Sequence, residues 1–252
     1  MQCIGIIPAR FASTRFPGKP LALIGNKTMI RRVYEQASLS SLLSEVVVAT
    51  DDDRIYKHVA EFGKVVMTGL HHQSGTERCN EALALINHDR RYTHDDCVIN
   101  IQGDEPFINP FQIDNLINIL ANSDRQIATL VKKLESPEDV ENPHVVKVVF
   151  DHAGKALYFS RARIPFCRED QNSHTFDHWL YYKHIGIYGY RISILDKLVS
   201  LPAGKLEQAE SLEQLRWLEH GFQIHISETT YEGISIDTPD DLKKIPPIAL
   251  GP

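Results

Sequence analysis

The chain has 252 residues, 42% of them hydrophobic and 24% charged, and its formal net charge is -6. These are ordinary globular values, and they argue against a disordered or membrane-spanning chain. The negative charge argues against general nucleic-acid binding, which needs a basic surface. Since the first predicted strand begins almost at Met1, we expect no signal peptide and a cytoplasmic protein.

Strand and helix patterns alternate through the first half of the chain. The apolar run 3–7 predicts a strand, and 29–37 predicts a helix. Further strands are predicted at 45–49, 64–67 and 97–101, and further helices at 53–62, 74–86 and 113–120. Because the strands are apolar on both faces, we expect an α/β fold whose mostly parallel sheet is covered by helices.

The second half changes to strand-rich segments, predicted at 127–132, 145–150, 156–160 and 184–191. They predict a smaller, partly antiparallel subdomain at about 130–190 within a single domain spanning 1–252. Helical patterns at 207–219 and 239–244 and a strand at 223–227 complete the fold, and the polar segment 168–178 is expected to be a mobile loop. The four cysteines are far apart in sequence and are expected to be free, mostly buried thiols.

A basic loop follows the first strand and carries Arg10, Arg15 and Lys19. Ligands of open α/β sheets bind at this edge, where backbone N–H groups and fixed cations can reach phosphate oxygens. The loop therefore suits a triphosphate. It is not a Walker A loop, because Pro20 follows Lys19 where Ser or Thr is required. An ordinary basic surface loop is the alternative interpretation.

Two acidic residues follow short apolar segments and are candidate Mg2+ ligands. Asp104 follows the strand ending at Ile101, and Asp237 precedes a predicted helix. Mg2+ prefers a few carboxylate oxygens together with phosphate oxygens. A surface turn could equally explain Asp104, and Asp237 or Thr238 could simply be the N-cap of the helix.

Polar residues elsewhere could meet a base or a sugar. Ser74 and Glu77 have capping-box spacing, which leaves Gly75, Thr76 and Arg78 free for a base or ribose. The segment 49–51 is also consistent with an N-cap, and we assign it no chemistry. Arg161 could bind a carboxylate, and His184 and Tyr188 share one strand face that could line a sugar pocket or simply belong to the core.

Together these segments closely resemble the 3-deoxy-manno-octulosonate cytidylyltransferase family, also called the CMP-Kdo synthetases. The resemblance runs in order from residue 4 to about residue 242. It rests on the segments IIPARFASTRFPGKPL, HQSGTERCNEA, NIQGDEPFI, VKVVF, ALYFSRARIPF, KHIGIYGYR, LEQLRWLEHG and IDTPDDL. The combination is specific, whereas each segment alone would be weak.

The resemblance implies a nucleotidyltransferase fold that dimerises through its smaller subdomain and uses CTP and Mg2+. The anomeric hydroxyl of the acidic sugar Kdo attacks the α-phosphate and releases pyrophosphate, for lipopolysaccharide biosynthesis. The catalytic residues it implies are Arg10, Lys19 and Asp104, with Asp104 and Asp237 holding the metal. The implied nucleotide-binding residues are Ala9, Arg10, Ser13, Arg15, Lys19, Ser74, Gly75, Thr76 and Arg78, and the implied sugar-binding residues are Gln102, Arg161, His184, Tyr188 and Glu213.

Two alternatives to CMP-Kdo synthesis stay open at this stage. A related acidic sugar, either the 8-amino analogue of Kdo or a sialic acid, could be the substrate. A non-catalytic nucleotide-sensing module on the same fold is the second alternative, and it predicts loss of Lys19 or of a metal carboxylate. Lys19, Asp104 and Asp237 are all present.

Overall fold

The computed structural model describes residues 1–13, 15–168 and 181–245. All of the predicted 168–178 loop except Arg168 lies outside these residues. The strands are β1 (Cys3–Ala9), β2 (Leu23–Ile24), β3 (Lys27–Thr28), β4 (Glu45–Thr50), β5 (Lys64–Met67), β6 (Cys97–Asn100), β7 (Ile127–Lys133), β8 (Lys147–Phe150), β9 (Ala156–Ser160), β10 (Tyr182–Arg191) and β11 (Ile224–Glu228). The helices are α1 (Met29–Ala37), α2 (Asp53–Ala60), α3 (Gly75–Ile86), α4 (Pro110–Leu120), α5 (Pro137–Glu141), α6 (Ile192–Ser200), α7 (Lys205–Glu210) and α8 (Gln214–Glu219).

The main sheet has the strand order β11-β7-β10-β6-β1-β4-β5. β1 lies between β4 and β6 and pairs in parallel with both, and β4 pairs in parallel with β5. The carboxyl ends of β1, β4, β5 and β6 therefore meet at one edge of the sheet. This confirms the predicted α/β class, and it places the basic loop after β1 beside the segment after β6.

Hydrophobic layers cover both faces of this sheet. In β1, Cys3 and Ile7 pack into one core, whereas Ile4 and Ile6 pack into the other. The first core includes residues of α1, α2 and α4, and the second includes residues of α3, α6 and α8. Because alternate residues of a strand point to opposite faces, burial on both faces requires the continuous apolar runs seen in the sequence.

The strand-rich second half does not form a sheet of its own. β10 pairs antiparallel with both β6 and β7, so β7 and β10 extend the main sheet. Only β8 and β9 leave its path, as an antiparallel pair attached to β10. The mixed pattern arises because β10 runs against its two neighbours in the middle of the sheet.

Two local expectations are wrong. The predicted helix 207–219 is interrupted at Ser211, which has a left-handed φ of 52° and separates α7 from α8. Tertiary contacts explain the break, since the Glu210 carboxylate accepts hydrogen bonds from Ser160 Oγ and Arg161 N. Cys3 and Cys97 are partners across β1 and β6 and form a disulfide, whereas Cys79 and Cys167 are free thiols as expected.

Candidate active site

The basic loop after β1 is closed by its own backbone. The carbonyl of Phe11 accepts hydrogen bonds from the N–H groups of Ser13 and Gly18, each at 3.0 Å. Gly18 has a φ of 72°, and a Cβ there would lie 3.0 Å from the Phe11 ring, so glycine is required at this position. The turn is followed by a short 3₁₀ helix that begins at Lys19. The Lys19 side chain points toward the sheet edge, where Asp104 lies.

Asp104 reaches the same place from the end of β6. A Cβ at Gly103 would lie 2.8 Å from the carbonyl oxygen of Pro8, so the absence of a side chain lets this turn pass close to β1. Lys19 Nζ donates a hydrogen bond of 2.8 Å to Asp104 Oδ2. Lys19 is largely buried, with only 15% of its side chain exposed, so solvent screens this pair less than a surface pair.

Asp237 faces the same lysine. Lys19 Nζ lies 3.4 Å from Asp237 Oδ1, and Arg15 Nη2 lies 3.2 Å from the same oxygen. Of the two residues that the sequence offered as N-cap of the following helix, the structure has Thr238 in that position, and its hydroxyl donates to Asp241. The predicted helix 239–244 is a 3₁₀ helix. The Asp237 carboxylate is therefore available to the cations of the basic loop.

These segments enclose a cavity of about 240 Å3 at the sheet edge. Most of the predicted nucleotide and metal residues line it, together with Gln102 of the predicted sugar residues: Ala9, Arg10, Ser13, Arg15, Lys19, Ser74, Gly75, Arg78, Asp104 and Asp237. Residues more than 200 positions apart in sequence thus contribute four cationic side chains and two carboxylates to one cavity. This composition fits a polyanionic ligand with a divalent cation.

The far end of the cavity is formed by the start of α3. Ser74 is the N-cap and accepts a hydrogen bond of 3.2 Å from Glu77 N, as the spacing predicts. Arg78 is almost fully buried and donates to Asp51 Oδ2 and Thr68 Oγ1, each at 2.6 Å. Asp51, to which the sequence analysis gave no role, therefore anchors a cavity-lining arginine.

His72 is a cavity residue that the sequence analysis missed. Its Nε2 atom is in close contact with Glu81 Oε2, which also accepts a hydrogen bond of 2.8 Å from Gly69 N. A histidine just before a capping serine is a weak sequence signal, because Glu81 lies nine residues away and only the start of α3 brings the two together.

The predicted sugar residues fall into two groups, and only Gln102 lines the cavity itself. Gln102 Nε2 donates 2.7 Å to the carbonyl of Gly186 in β10. The Arg161 guanidinium does not line the cavity. Its Nε atom donates a hydrogen bond of 2.7 Å to the carbonyl of Glu210, and Nη1 donates one of 3.2 Å to the carbonyl of Pro143. Thr76, predicted as a nucleotide residue, is not among the residues that line the cavity; its hydroxyl donates a hydrogen bond of 2.8 Å to Glu213 Oε2.

His184 and Tyr188 lie side by side on β10, with ring centroids 5.3 Å apart. Burial lowers the pKa of His184 to about 3, so its imidazole is neutral at physiological pH. Thr129 Oγ1 donates to the carbonyl of Ile187 (2.8 Å), so His184 Nε2 must donate the 3.0 Å bond that joins the two side chains. This tautomer leaves Nδ1 of His184 as an acceptor.

Burial also raises the pKa of Glu213 and raises that of Tyr188 well above its usual value. Both effects have the same cause, since desolvation disfavours the charged form of an acid. The side chains of His184, Tyr188 and Glu213 are therefore shielded from solvent. The cavity beside them contains charged groups that pair with one another.

Asp104 and Asp237 meet one test of a Mg2+ site, because both approach the same Lys19 atom and so face a common space. Two carboxylates cannot fill an octahedral shell. Among the residues that the structure describes, no three His, Cys, Asp or Glu side chains are grouped to hold a metal ion. Ligand oxygens and water would have to complete the shell, which is usual for Mg2+.

Comparison with known proteins agrees with this geometry. A family model described as cytidylyltransferase matches residues 4–228. A solved structure described as CMP:2-keto-3-deoxy-manno-octonic acid synthetase complexed with CTP is 40% identical, with a TM-score of 0.87 over 97% of this chain and 96% of that one.

Curated relatives extend the match over nearly the whole length. The 3-deoxy-manno-octulosonate cytidylyltransferase of Thermodesulfovibrio yellowstonii is 50% identical over 96% of each chain. The 8-amino-3,8-dideoxy-manno-octulosonate cytidylyltransferase of a Shewanella species is 46% identical over 97% of each chain. A family match to most of the residues and relatives at such identity lead to one conclusion: this chain belongs to the cytidylyltransferase family.

Proposed function

We propose that the protein transfers CMP from CTP to Kdo, forming CMP-Kdo and pyrophosphate. The observation that carries this proposal is the meeting of Arg10, Lys19, Asp104 and Asp237 around one cavity. CTP and an eight-carbon acidic sugar together bring about five negative charges to one site, so fixed cations and a metal are required there. The names of the relatives supply the identity of both substrates.

In this proposal the basic loop binds the triphosphate. Arg10, Arg15 and Lys19 contact its oxygens, and Ser13 and the backbone around Ala9 shape the loop. The start of α3, with Ser74, Gly75, Thr76 and Arg78, recognises cytosine and ribose. Pairing with Asp51 fixes the Arg78 guanidinium in place before the ligand arrives.

The anomeric hydroxyl of the sugar attacks the α-phosphate in line with the leaving pyrophosphate. No covalent enzyme intermediate is needed, because positioning and charge neutralisation supply most of the catalysis in such transfers. Gln102, His184, Tyr188 and Glu213 hold the sugar, with Arg161 assigned to its carboxylate. Mg2+, held by Asp104 and Asp237, would neutralise charge on the phosphate oxygens.

Arg161 needs a rearrangement to serve in this way, because its guanidinium is bound to backbone carbonyls of Pro143 and Glu210. An equivalent rearrangement is not required of Gln102, which already lines the cavity. We therefore rank Gln102 above Arg161 as a sugar contact.

We further propose a homodimer that works in the cytoplasm, where CTP is available, for lipopolysaccharide synthesis. Two exposed apolar residues support pairing through the second half of the chain: Leu157 on β9, 61% exposed, and Phe166, 71% exposed. Leu157→Glu should shift the solution mass at micromolar concentration from dimer to monomer. Leu39→Glu, at an equally exposed leucine beyond α1, should leave the mass unchanged. A wild-type monomer with full activity would contradict the proposal.

No helix in residues 1–13, 15–168 and 181–245 is both long and apolar enough to cross a bilayer.

The proposed reaction is tested by measuring pyrophosphate release with four nucleoside triphosphates crossed with Kdo, 8-amino-Kdo and a sialic acid, in the presence of Mg2+. We expect CTP with Kdo to give the highest kcat/KM. A higher kcat/KM with 8-amino-Kdo would move the assignment to the activity named for the Shewanella relative. CTP binding without release from any pair would favour the nucleotide-sensing module.

A further inference from the structure

The segment that joins β4 to α2 contains two neighbouring aspartates, and each of them binds an arginine. Asp51 Oδ2 accepts a hydrogen bond from Arg78, which lines the cavity. Asp52 is the N-cap of α2 and pairs with Arg54, which does not line the cavity. Because β4 pairs in parallel with β1, this segment lies at the same sheet edge as the basic loop. Asp52 and Arg54 are therefore placed to contact the basic loop from outside the cavity.

Asp52 fixes the guanidinium of Arg54 through two hydrogen bonds. Arg54 Nε donates a bond of 3.0 Å to Asp52 Oδ1, and Nη2 donates one of 2.6 Å to Oδ2. A bidentate pair of this kind holds the planar guanidinium in one orientation. The bonds from Arg54 also lower the pKa of the Asp52 carboxyl, so it is ionised at physiological pH. Arg54 is thus held in place although 60% of its side chain is exposed.

The guanidinium of Arg54 lies over the ring of Phe11 in the basic loop. Arg54 Cζ is 3.3 Å from the ring centroid, well within the distance of about 6 Å at which an aromatic face attracts a cation. A guanidinium is planar and stacks on such a face, whereas an ammonium group is a compact point charge. Asp52, Arg54 and Phe11 therefore form a continuous set of contacts from α2 to the loop, which we call the Asp52–Arg54–Phe11 stack.

Phe11 connects this stack to the backbone of the basic loop. Its carbonyl oxygen accepts hydrogen bonds from the N–H groups of Ser13 and Gly18, and its ring lies against Gly18. Arg10 directly precedes Phe11, and Lys19 directly follows Gly18. A shift of Phe11 would therefore move the backbone next to both Arg10 and Lys19.

Two simpler roles for Arg54 make different predictions. The helix cap does not need its guanidinium, because Asp52 accepts the capping bond from the backbone N–H of Arg54 at 2.9 Å. Attraction of an anionic ligand from a distance depends on charge alone, so lysine would supply it equally well. Positioning of the loop depends on a planar group that binds Asp52 and stacks on Phe11 at the same time.

We infer that Asp52 and Arg54 are positioning residues that hold Phe11 and so fix the basic loop in its binding conformation. For the identity of the ligand, CTP, this role rests on the proposed function. A loop that is fixed before the triphosphate arrives loses less conformational entropy when it binds. Loss of the stack should therefore weaken CTP binding and leave kcat unchanged once CTP saturates the site.

Arg54→Lys and Phe11→Leu test this role. Arg54→Lys keeps the charge and the helix cap but removes the planar group, and Phe11→Leu removes the ring but keeps the charge. Arg31→Lys is the matched control. Arg31 Nε also donates to a carboxylate, Glu35 Oε1 at 2.9 Å, and its guanidinium also faces a ring, that of Phe62, at 5.2 Å. Arg31 does not line the cavity.

Backbone amide hydrogen exchange of the ligand-free protein measures the loop directly. We expect exchange over residues 11–19 to be about 2- to 5-fold faster in Arg54→Lys and Phe11→Leu, the range for losing one exposed cation–π contact. Asp52→Asn, which keeps a good N-cap but loses the bidentate pair, should change exchange in the same direction. Arg31→Lys should match the wild type. Wild-type exchange in Arg54→Lys would overturn the positioning role.

Calorimetric titration with CTP and Mg2+ gives the second measurement. We expect the Kd for CTP to rise about 2- to 5-fold in Arg54→Lys, with kcat at saturating CTP and Kdo unchanged. Arg54→Lys should raise Kd no further when Phe11 is already leucine, because Arg54 acts through that ring. A wild-type Kd in Arg54→Lys would assign Arg54 to charge attraction alone. An equal rise in both backgrounds would show that Arg54 does not act through Phe11, and either result would overturn the inference.

Failure of the proposed function gives a different result. If wild-type protein does not bind CTP, the assignment of the ligand is wrong, and the role of the stack is then judged by hydrogen exchange. Faster exchange over residues 11–19 in Arg54→Lys, without a change in Arg31→Lys, would support positioning of the loop without the nucleotide. Unchanged exchange in Arg54→Lys would overturn both.

Discussion

The two sides of the candidate active site differ in how their polar groups are stabilised. The proposed nucleotide side comprises the basic loop, Asp104, Asp237 and the start of α3, and the proposed sugar side comprises the residues of β10 and α8. On the proposed nucleotide side, charges pair with one another: Lys19 contacts Asp104 and Asp237, and Arg78 contacts Asp51. On the proposed sugar side, His184 and Tyr188 are buried, and burial favours the neutral form of each. Paired charges can exchange partners with a charged ligand, whereas buried neutral groups can offer a ligand only neutral hydrogen bonds.

This contrast predicts different sensitivities. A variant on the nucleotide side alters charge neutralisation where the reaction occurs and should affect turnover. A variant on the sugar side removes one neutral contact and should affect sugar binding.

The largest effect is expected at the two carboxylates. Asp104→Asn and Asp237→Asn should each lower kcat by about 10^3-fold or more, because each removes charge from the proposed metal site. The double variant should be little worse than either single variant, since one metal site cannot be disabled twice. Steady-state pyrophosphate release at saturating CTP, Kdo and Mg2+ measures all three.

Asp240→Asn is the matched control for these variants. Asp240 lies three residues from Asp237, is 77% exposed and pairs with Lys243 at the surface. Its loss should leave kcat within about two-fold, as expected for a surface pair. Near-normal turnover of Asp237→Asn would remove this residue from the metal site and leave Asp104 alone in that role.

A smaller effect on kcat/KM is expected when the base of the nucleotide is changed. CTP should be preferred over UTP by about 10^2-fold or more in kcat/KM, because a carbonyl in place of the cytosine amino group leaves buried donors or acceptors unpaired. The ratio is measured with Kdo held at saturation. Equal turnover of the two nucleotides would show that the start of α3 does not read the base.

The gathering of the proposed nucleotide residues at one cavity was largely predictable from sequence, because most of them directly follow strands. The basic loop and Asp104 directly follow strands, so recognising β1 and β6 as parallel neighbours places both at one edge. The role of Asp237 was harder to predict, because the sequence is consistent with either Asp237 or Thr238 as the N-cap. That choice depends on Asp241, which binds the Thr238 hydroxyl.

The sugar side depends on contacts that are distant in sequence, and less of it could be predicted. The break at Ser211, which ends α7 before Glu213, follows from contacts of Glu210 with Ser160 and Arg161 some 50 residues earlier.

The smallest effect concerns stability on the sugar side. Because burial lowers the pKa of His184 to about 3, the unfolded chain binds a proton at this residue below pH 6.5 that the folded protein does not. Stability should therefore fall as the pH drops from 6.5 toward 3. His184→Asn should lose about 1–2 kcal/mol less than wild type between pH 7 and pH 5 in urea unfolding.

His152→Asn, at an exposed histidine, is the control for this titration and should follow the wild-type pH profile. If His184→Asn also follows that profile, the His184 imidazole is protonated in the folded state, and burial does not lower its pKa.

The central claim is that a sugar hydroxyl attacks the α-phosphate of CTP at this site. Kdo whose anomeric oxygen carries ¹⁸O, incubated with CTP and Mg2+, tests it by mass spectrometry of both products, with Asp104→Asn as the blank. The account predicts labelled CMP-Kdo, with the ¹⁸O between sugar and phosphorus, and unlabelled pyrophosphate. Label in the pyrophosphate, or free CMP without any CMP-sugar, would contradict it.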